Sequence, residues 1–229
     1  MGFGTTLGHQ LLKQLVAPGC RRFEQHLGEL ERVQRARLSR WLAAAAPTPE
    51  GQRLGIQADW TWEEFAQHRP LTTYKDYADV LERQQATREC LLIDSPTMRY
   101  QPTSGSTSAV KWIPYSKLFL AELDEVITAW FGDLYRQFPK QTAGTHYWSL
   151  SWIPTEMRSQ TAGDINDDMK MLSWGKRLLA YLTQAVPQDV ALAETSDDSL
   201  FATIAHLCAD ESLGFISVWS PTFALGAME

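Results

Sequence analysis

Cysteine is scarce in this sequence and badly spaced for its structural uses. Cys20, Cys90 and Cys208 are odd in number, far apart, and form no C-x-x-C pair. Neither a zinc site nor a disulfide framework is indicated. The N-terminal MGFGTTLGHQLLKQLVAPG lacks the basic start and unbroken apolar stretch of a secretory leader. No run approaches the roughly 18 uncharged apolar residues of a membrane span. The most hydrophobic segment, 116–138, is interrupted by Glu122, Asp124, Glu125 and Asp133. Positive charge is in deficit, with 21 Lys+Arg against 27 Asp+Glu and a net charge of -6. Without a long basic stripe, that balance excludes nucleic acid as the main partner. A membrane partner is likewise not expected, and cytosolic residence is the simplest reading.

What is present is globular. The 229 residues are 44% hydrophobic and 11% aromatic, which excludes disorder as the default. The length predicts one or two domains of about 150 residues each. Residues 21–42 place Phe23, Leu27, Leu30, Leu38 and Trp41 at near-helical spacing among six arginines and three glutamates. That pattern predicts an amphipathic helix with a solvated charged face rather than an anion-binding arm. Pro47-Thr48-Pro49-Glu50-Gly51 is the clearest linker. Thr61-Trp62-Glu63-Glu64 predicts a capping box opening a short helix, and Thr73 to Asp76 predicts another helix start.

Further on, Cys90-Leu91-Leu92-Ile93 is an apolar run suited to a buried strand, with a loop expected from there to about Pro114. Ser116 starts the strongest helix, with Phe119, Leu120, Leu123, Val126, Ile127, Trp130, Phe131, Leu134 and Phe138 on its apolar side, and Pro139 stops it. Strands are expected at 146–153 and 215–219, and helices near 168–184 and 197–209, with a turn at Ser220-Pro221. Alternating strands and helices predict an α/β fold whose largely parallel sheet is flanked by helices. Residues 1–69 would form an N-terminal helical appendage and 70–229 the α/β part.

The chemistry concentrates in Pro102-Thr103-Ser104-Gly105-Ser106-Thr107-Ser108-Ala109-Val110-Lys111. Small and hydroxylated residues let backbone N–H groups approach an anion closely, and the lysine ends the segment with an ammonium. Those are the requirements for holding a polyphosphate. A Walker loop is excluded, because Val110 stands where its second glycine belongs and Trp112 where its Ser/Thr belongs. Ser104 and Ser106 also lack the Gly-x-Ser-x-Gly elbow of a hydrolase nucleophile.

The same string resembles the phosphate-loop signature of the adenylate-forming superfamily, Thr-Ser-Gly-Ser/Thr-Thr-Gly-x-Pro-Lys. Thr103, Ser104, Gly105, Ser106, Thr107 and Lys111 match in register, while Ser108 and Val110 replace the usual Gly and Pro. The continuation Lys111 to Ser116 narrows the resemblance, as do Leu71 to Tyr77 upstream and Phe215 to Phe223 downstream. Over roughly residues 70–225 the chain resembles bacterial relatives of the plant auxin-responsive Gretchen Hagen family, the acyl-acid-amido synthetases.

The resemblance implies an ATP-dependent ligase, using Mg2+, that joins a carboxylic acid to an amino acid through an acyl-adenylate. It implies that Thr103 and Ser104 through Ser108 wrap the phosphates and that Lys111 neutralises the leaving pyrophosphate. It further nominates Val126, Trp130, Trp219 and Phe223 for the acid. The family's downstream magnesium, adenine and ribose motifs find no match before Glu229. The expectation is therefore an incomplete, N-terminal part of such an enzyme, inactive alone and completed by a C-terminal part on a separate chain. A non-catalytic scaffold descended from such a ligase, or part of a thioester-forming relative, are the alternatives.

Other candidates carry structural readings. Asp164, Asp167 and Asp168 suit an acidic helix start better than a cation site. His206 and Cys208 are two apart on a helix and share no face. His9, His26, His68 and His146 lack ligand-spaced neighbours.

Overall fold

Glycines, prolines and capping side chains set most helix boundaries. The computed structural model describes residues 3–103, 111–140, 143–148, 150–152, 154–158, 166–167, 173–218 and 221–226. Helices α1 (Phe3–Leu27) and α2 (Leu30–Ala45) are parted at Gly28-Glu29, so the single helix expected over 21–42 is two. Its charged face is solvated as expected: Arg35 pairs with Glu31 and Glu63 at 3.0 and 3.2 Å, all exposed. The expected linker at 47–51 is instead a capped turn of helix, α3 (Pro49–Arg53), whose Thr48 Oγ1 accepts the Gly51 N–H at 3.0 Å. Helix α4 (Trp62–His68) opens on the expected capping box of Thr61 and Glu64. A 3-10 turn, Tyr74–Asp76, leads into α5 (Ala78–Thr87).

The backbone packs as two compact units, Met1–Phe23 with Leu120–Glu229, and Glu24–Phe119. The sequence division at 69/70 falls inside the second of these.

In the unit of residues 24–119, strands β1 (Thr97–Pro102) and β2 (Trp112–Ser116) form an antiparallel hairpin where the sequence suggests only loop. Pro102 and Pro114 obscure these strands, yet a two-stranded ladder has outward-facing positions where a missing N–H costs nothing. Conversely, the strand expected at 90–93 does not form. The carboxamide oxygen of buried Gln84 accepts the Leu91 and Leu92 N–H groups at 3.0 and 3.1 Å. The Leu91 carbonyl accepts the Glu50 N–H at 3.1 Å. A side chain and a helix start thus do the work of a neighbouring strand, satisfying buried backbone without a ladder.

The other unit is built on α1, α6 (Lys117–Gln137), β3 (Thr145–Trp148), β4 (Leu150–Ser151), α7 (Thr155–Arg158), β5 (Asn166–Asp167), α8 (Trp174–Tyr181), α9 (Ser196–Ala209), β6 (Leu213–Ser217) and α10 (Pro221–Gly226). Helix α6 matches its expectation. Of the helix expected over 168–184, residues 168–172 lie outside the described residues and the described part is helical over α8, while the turn expected at Pro221 opens α10, proline being well suited to a first helical position. Strand β3 pairs in parallel with β6 and, on its other edge, bridges in parallel to Gln184. β4 pairs with β5 antiparallel. The described strands therefore make small sheets of both senses rather than a largely parallel one. Periodicity marks strands but carries no information on partner or direction.

Successive residues of β3 feed opposite faces, as strand geometry requires. Trp148 joins Leu12, Val16, Phe131, Tyr135 and Ala180 in one buried cluster. Tyr147 joins Leu150, Val186 and Ala191 in another. Helices α1 and α6 approach closely through Gly132, where a Cβ would lie 2.5 Å from Cys20 Cβ.

Buried His9 ties this unit together. Its Nε2 lies 2.6 Å from the Gly144 carbonyl and its Nδ1 2.8 Å from the Tyr135 hydroxyl. A carbonyl can only accept, so Nε2 carries the proton and Nδ1 accepts from Tyr135. Burial lowers the His9 pKa below 6.5, against the opposing pull of the Gly144 carbonyl. Burial likewise pushes the Tyr135 phenol up. The unfolded chain therefore takes up a proton near pH 6.5 that the folded chain refuses, and stability falls as pH drops through that region. We expect the melting temperature to fall between pH 7 and 5.5, and His9→Asn to flatten that fall; an unchanged slope in the variant would remove His9 as its source.

Candidate functional site

The segment 103–111, whose composition suggests anion binding, joins β1 to β2 in sequence. The Thr103 N–H donates to the Lys111 carbonyl at 2.9 Å, closing the hairpin at the first and last residues of the motif. Ser104 through Val110, including the proposed phosphate ligands Ser104, Gly105, Ser106, Thr107 and Ser108, lie outside the described residues. Below the tip, the ladder pairs Pro102 with Trp112, Tyr100 with Pro114 and Arg99 with Tyr115. Met98 is an extra residue in β1, so the register slips by one between Thr97 and Arg99. Such a bulge bends and twists a strand locally. The Arg99 guanidinium lies 4.9 Å from the Tyr115 ring, within cation–π reach.

Tyr74 braces the base of this tip. Its hydroxyl accepts the Trp112 N–H at 3.1 Å, and its ring centroid is 5.8 Å from the Lys111 ammonium. Tyr74 is itself placed by the 3-10 turn, in which the Thr73 N–H and hydroxyl donate to the Asp76 carboxylate at 2.6 and 2.9 Å. Those donors hold the Asp76 carboxyl below its ordinary range, the backbone N–H contributing most. Two of the three segments that carry the sequence resemblance therefore meet in space. Tyr74 was legible only as part of that resemblance; nothing in its local pattern announces a hydrogen bond to a residue 38 positions on. Lys111 is exposed.

The residues nominated for the acid do not form one surface. Val126 and Trp130 lie one turn apart on α6 and are 64% and 40% exposed. The Trp130 ring meets Trp148 at 6.2 Å and Phe215 at 6.0 Å, on one face of the β3–β6 ladder. Phe223 stacks on Tyr147 at 6.3 Å, on the other face. Trp219 lies outside the described residues. The apolar side read for α6 is also rotated: Thr128, Ala129, Phe131, Gly132 and Tyr135 are its buried positions, because small residues allow the close approach of α1.

Among the described residues, no group of three His, Cys, Asp or Glu side chains is placed to hold a metal ion. No described helix is long and apolar enough to cross a membrane.

Residues 19–229 match the family described as GH3 family N-terminal domain. The chain belongs to the GH3 family. The match spans the hairpin, Tyr74 and the β3–β6 ladder together, in agreement with the resemblance drawn from the three sequence segments. Among solved structures, the chain is similar to one titled GH3.15 acyl acid amido synthetase, with a TM-score of 0.67 and 16% identity. That similarity covers 91% of this chain and 37% of the other, and it supports the fold. No curated protein matches the chain in sequence. The GH3 chain thus spans well under half the length of the solved relative it resembles.

Proposed function

We propose that these residues form the triphosphate-holding part of an ATP-dependent ligase that joins a carboxylic acid to an amino acid. The observation that carries this reading is the hairpin closing on Thr103 and Lys111 in a chain whose residues 19–229 match the GH3 N-terminal domain. In the first step, a carboxylate oxygen attacks the α-phosphorus and the bond to pyrophosphate breaks. In the second, an amine nitrogen attacks the acyl carbonyl, loses a proton, and AMP leaves. Backbone amides and hydroxyls of Thr103 through Ser108 bind the phosphates, and Lys111 offsets the charge that builds on pyrophosphate. The side chain of Ser108, where the superfamily has glycine, restricts the loop's conformations. Mg2+ would enter with the nucleotide. Val126 and Trp130 offer exposed apolar area for the acid, and the resemblance adds Trp219; Phe223, on the opposite face of the ladder, is not part of that surface.

The 229 residues alone would bind nucleotide without turning over, since the family's remaining ATP-site motifs are not among them. Calorimetric titration of MgATP into the chain and into Lys111→Ala tests this. Saturable binding is expected, weakened in the variant by about 1–3 kcal/mol, the scale of a charged hydrogen bond. Equal affinity in the variant would move the triphosphate off this loop. Substrate-dependent pyrophosphate exchange by the isolated chain would refute its inactivity.

A further inference from the structure

Both clusters of fully buried apolar side chains named above belong to the unit containing α6 and β3. Residues 24–119 bury Leu42, Val80, Leu81, Leu91 and Tyr100, and beside them hold a partly open apolar cavity of about 460 Å³. Its walls include Leu38, Trp41 and Ala45 of α2, Phe65 of α4, Ile93, and Ile113 of β2. We propose that this cavity binds an uncharged, apolar small molecule.

Three features specify the ligand. The volume lies within the roughly 300–1,000 Å³ range of small-molecule sites. Among the described residues, no Asp, Glu, Lys, Arg or His lines it, so an ionised ligand group would enter without a counter-charge from them. The polar residues that do line it are Gln84, Thr97 and Ser116, and each already holds a protein partner. Gln84 Nε2 donates to Thr97 Oγ1 at 3.1 Å, and its Oε1 accepts two backbone N–H groups. Ser116 Oγ accepts the Phe119 N–H at 3.1 Å. The wall therefore leaves no buried polar atom that requires a hydrogen bond from the ligand. An apolar occupant would remove the apolar walls of this pocket from water, which is favourable. Lys111 is not among the described residues that line the cavity, so the proposed site is distinct from that lysine.

The probe is N-phenyl-1-naphthylamine, an uncharged dye whose fluorescence rises in apolar surroundings, titrated without nucleotide into the 229-residue chain. Saturable binding with one site is expected, with displacement by 1-decanol and no better displacement by decanoate at pH 8. A rise in melting temperature with 1-decanol is also expected, because a ligand of the folded state stabilises it. Ala45→Phe and Ile93→Trp fill the cavity from two walls, and each should weaken dye binding at least tenfold while circular dichroism shows a retained fold. Leu178→Ser, on exposed α8, should leave binding unchanged. Three results would each overturn the site: no saturable binding by the wild-type chain, full affinity in the folded filling variants, or loss of binding in Leu178→Ser. If the filling variants do not fold, a wild-type melting temperature indifferent to 1-decanol overturns it.

Discussion

Phe131→Ala is expected to destabilise the chain by about 3–5 kcal/mol, the usual cost of emptying a buried aromatic site. Phe131 is 4% exposed. Its ring stacks on Trp148 at 4.8 Å with planes 7° apart. It also makes edge contacts with Trp130 at 5.1 Å and Phe215 at 6.5 Å. Removing it leaves a void between α6 and β3 that the surrounding rings cannot close without breaking these contacts. For a chain of this size the melting temperature should fall by roughly 10 °C. Urea unfolding followed by near-ultraviolet circular dichroism measures the loss directly, since the stacked rings report on their own packing. Phe201→Ala, at a residue 76% exposed, is the comparison and should shift stability by no more than about 0.5 kcal/mol. A loss below about 1 kcal/mol for Phe131→Ala would mean that the ring cluster is not the core it is taken to be.

Gly51→Ala is the second large effect, about 3 kcal/mol or more, and it acts through the backbone. A Cβ on Gly51 would collide with the Ala45 carbonyl oxygen, lie 2.8 Å from its carbon, and lie 3.1 Å from Thr48 Oγ1. That carbonyl is not free to withdraw. It accepts the Thr48 N–H at 3.0 Å and the Thr48 hydroxyl at 2.7 Å, while Thr48 Oγ1 accepts the Gly51 N–H. Relieving the clash therefore disrupts the cap of α3 as well. Gly55→Ala provides the contrast, because Gly55 has φ +66° but nothing within 4 Å of its added Cβ. It should cost only about 1 kcal/mol, the left-handed penalty of an ordinary residue. Equal losses at the two glycines would contradict the close approach at Gly51.

Local signals in this sequence were reliable where the deciding interaction spans a few residues. The Thr61–Glu64 capping box and the span of α6, bounded by Ser116 and Pro139, are of that kind. The anion-binding composition of 103–111, and its order with the two flanking segments, suffices to point to the GH3 family. The expectations that the structure overturns depend on distant partners. Leu91 and Leu92 look like strand residues, yet Gln84 satisfies their backbone. The strands flanking the phosphate segment were hidden by prolines that only a two-stranded ladder tolerates so readily. Val126, Trp130 and Phe223 share an apolar character but fall on different faces of β3–β6, a separation set by strand alternation.

The family, the segment of anion-binding composition and the helices that carry their own start and stop signals were legible in the sequence. How the ends of that segment are held, with Thr103 bonded to Lys111 and Tyr74 bonded to Trp112, follows from folding. The tertiary structure alone decided which side of α6 is buried, the pairing and direction of the strands, and the cavity between α2 and the hairpin. The physical reason is one of range. Propensity and capping act within about one helical turn, whereas pairing, burial and cavities depend on residues brought together from far along the chain.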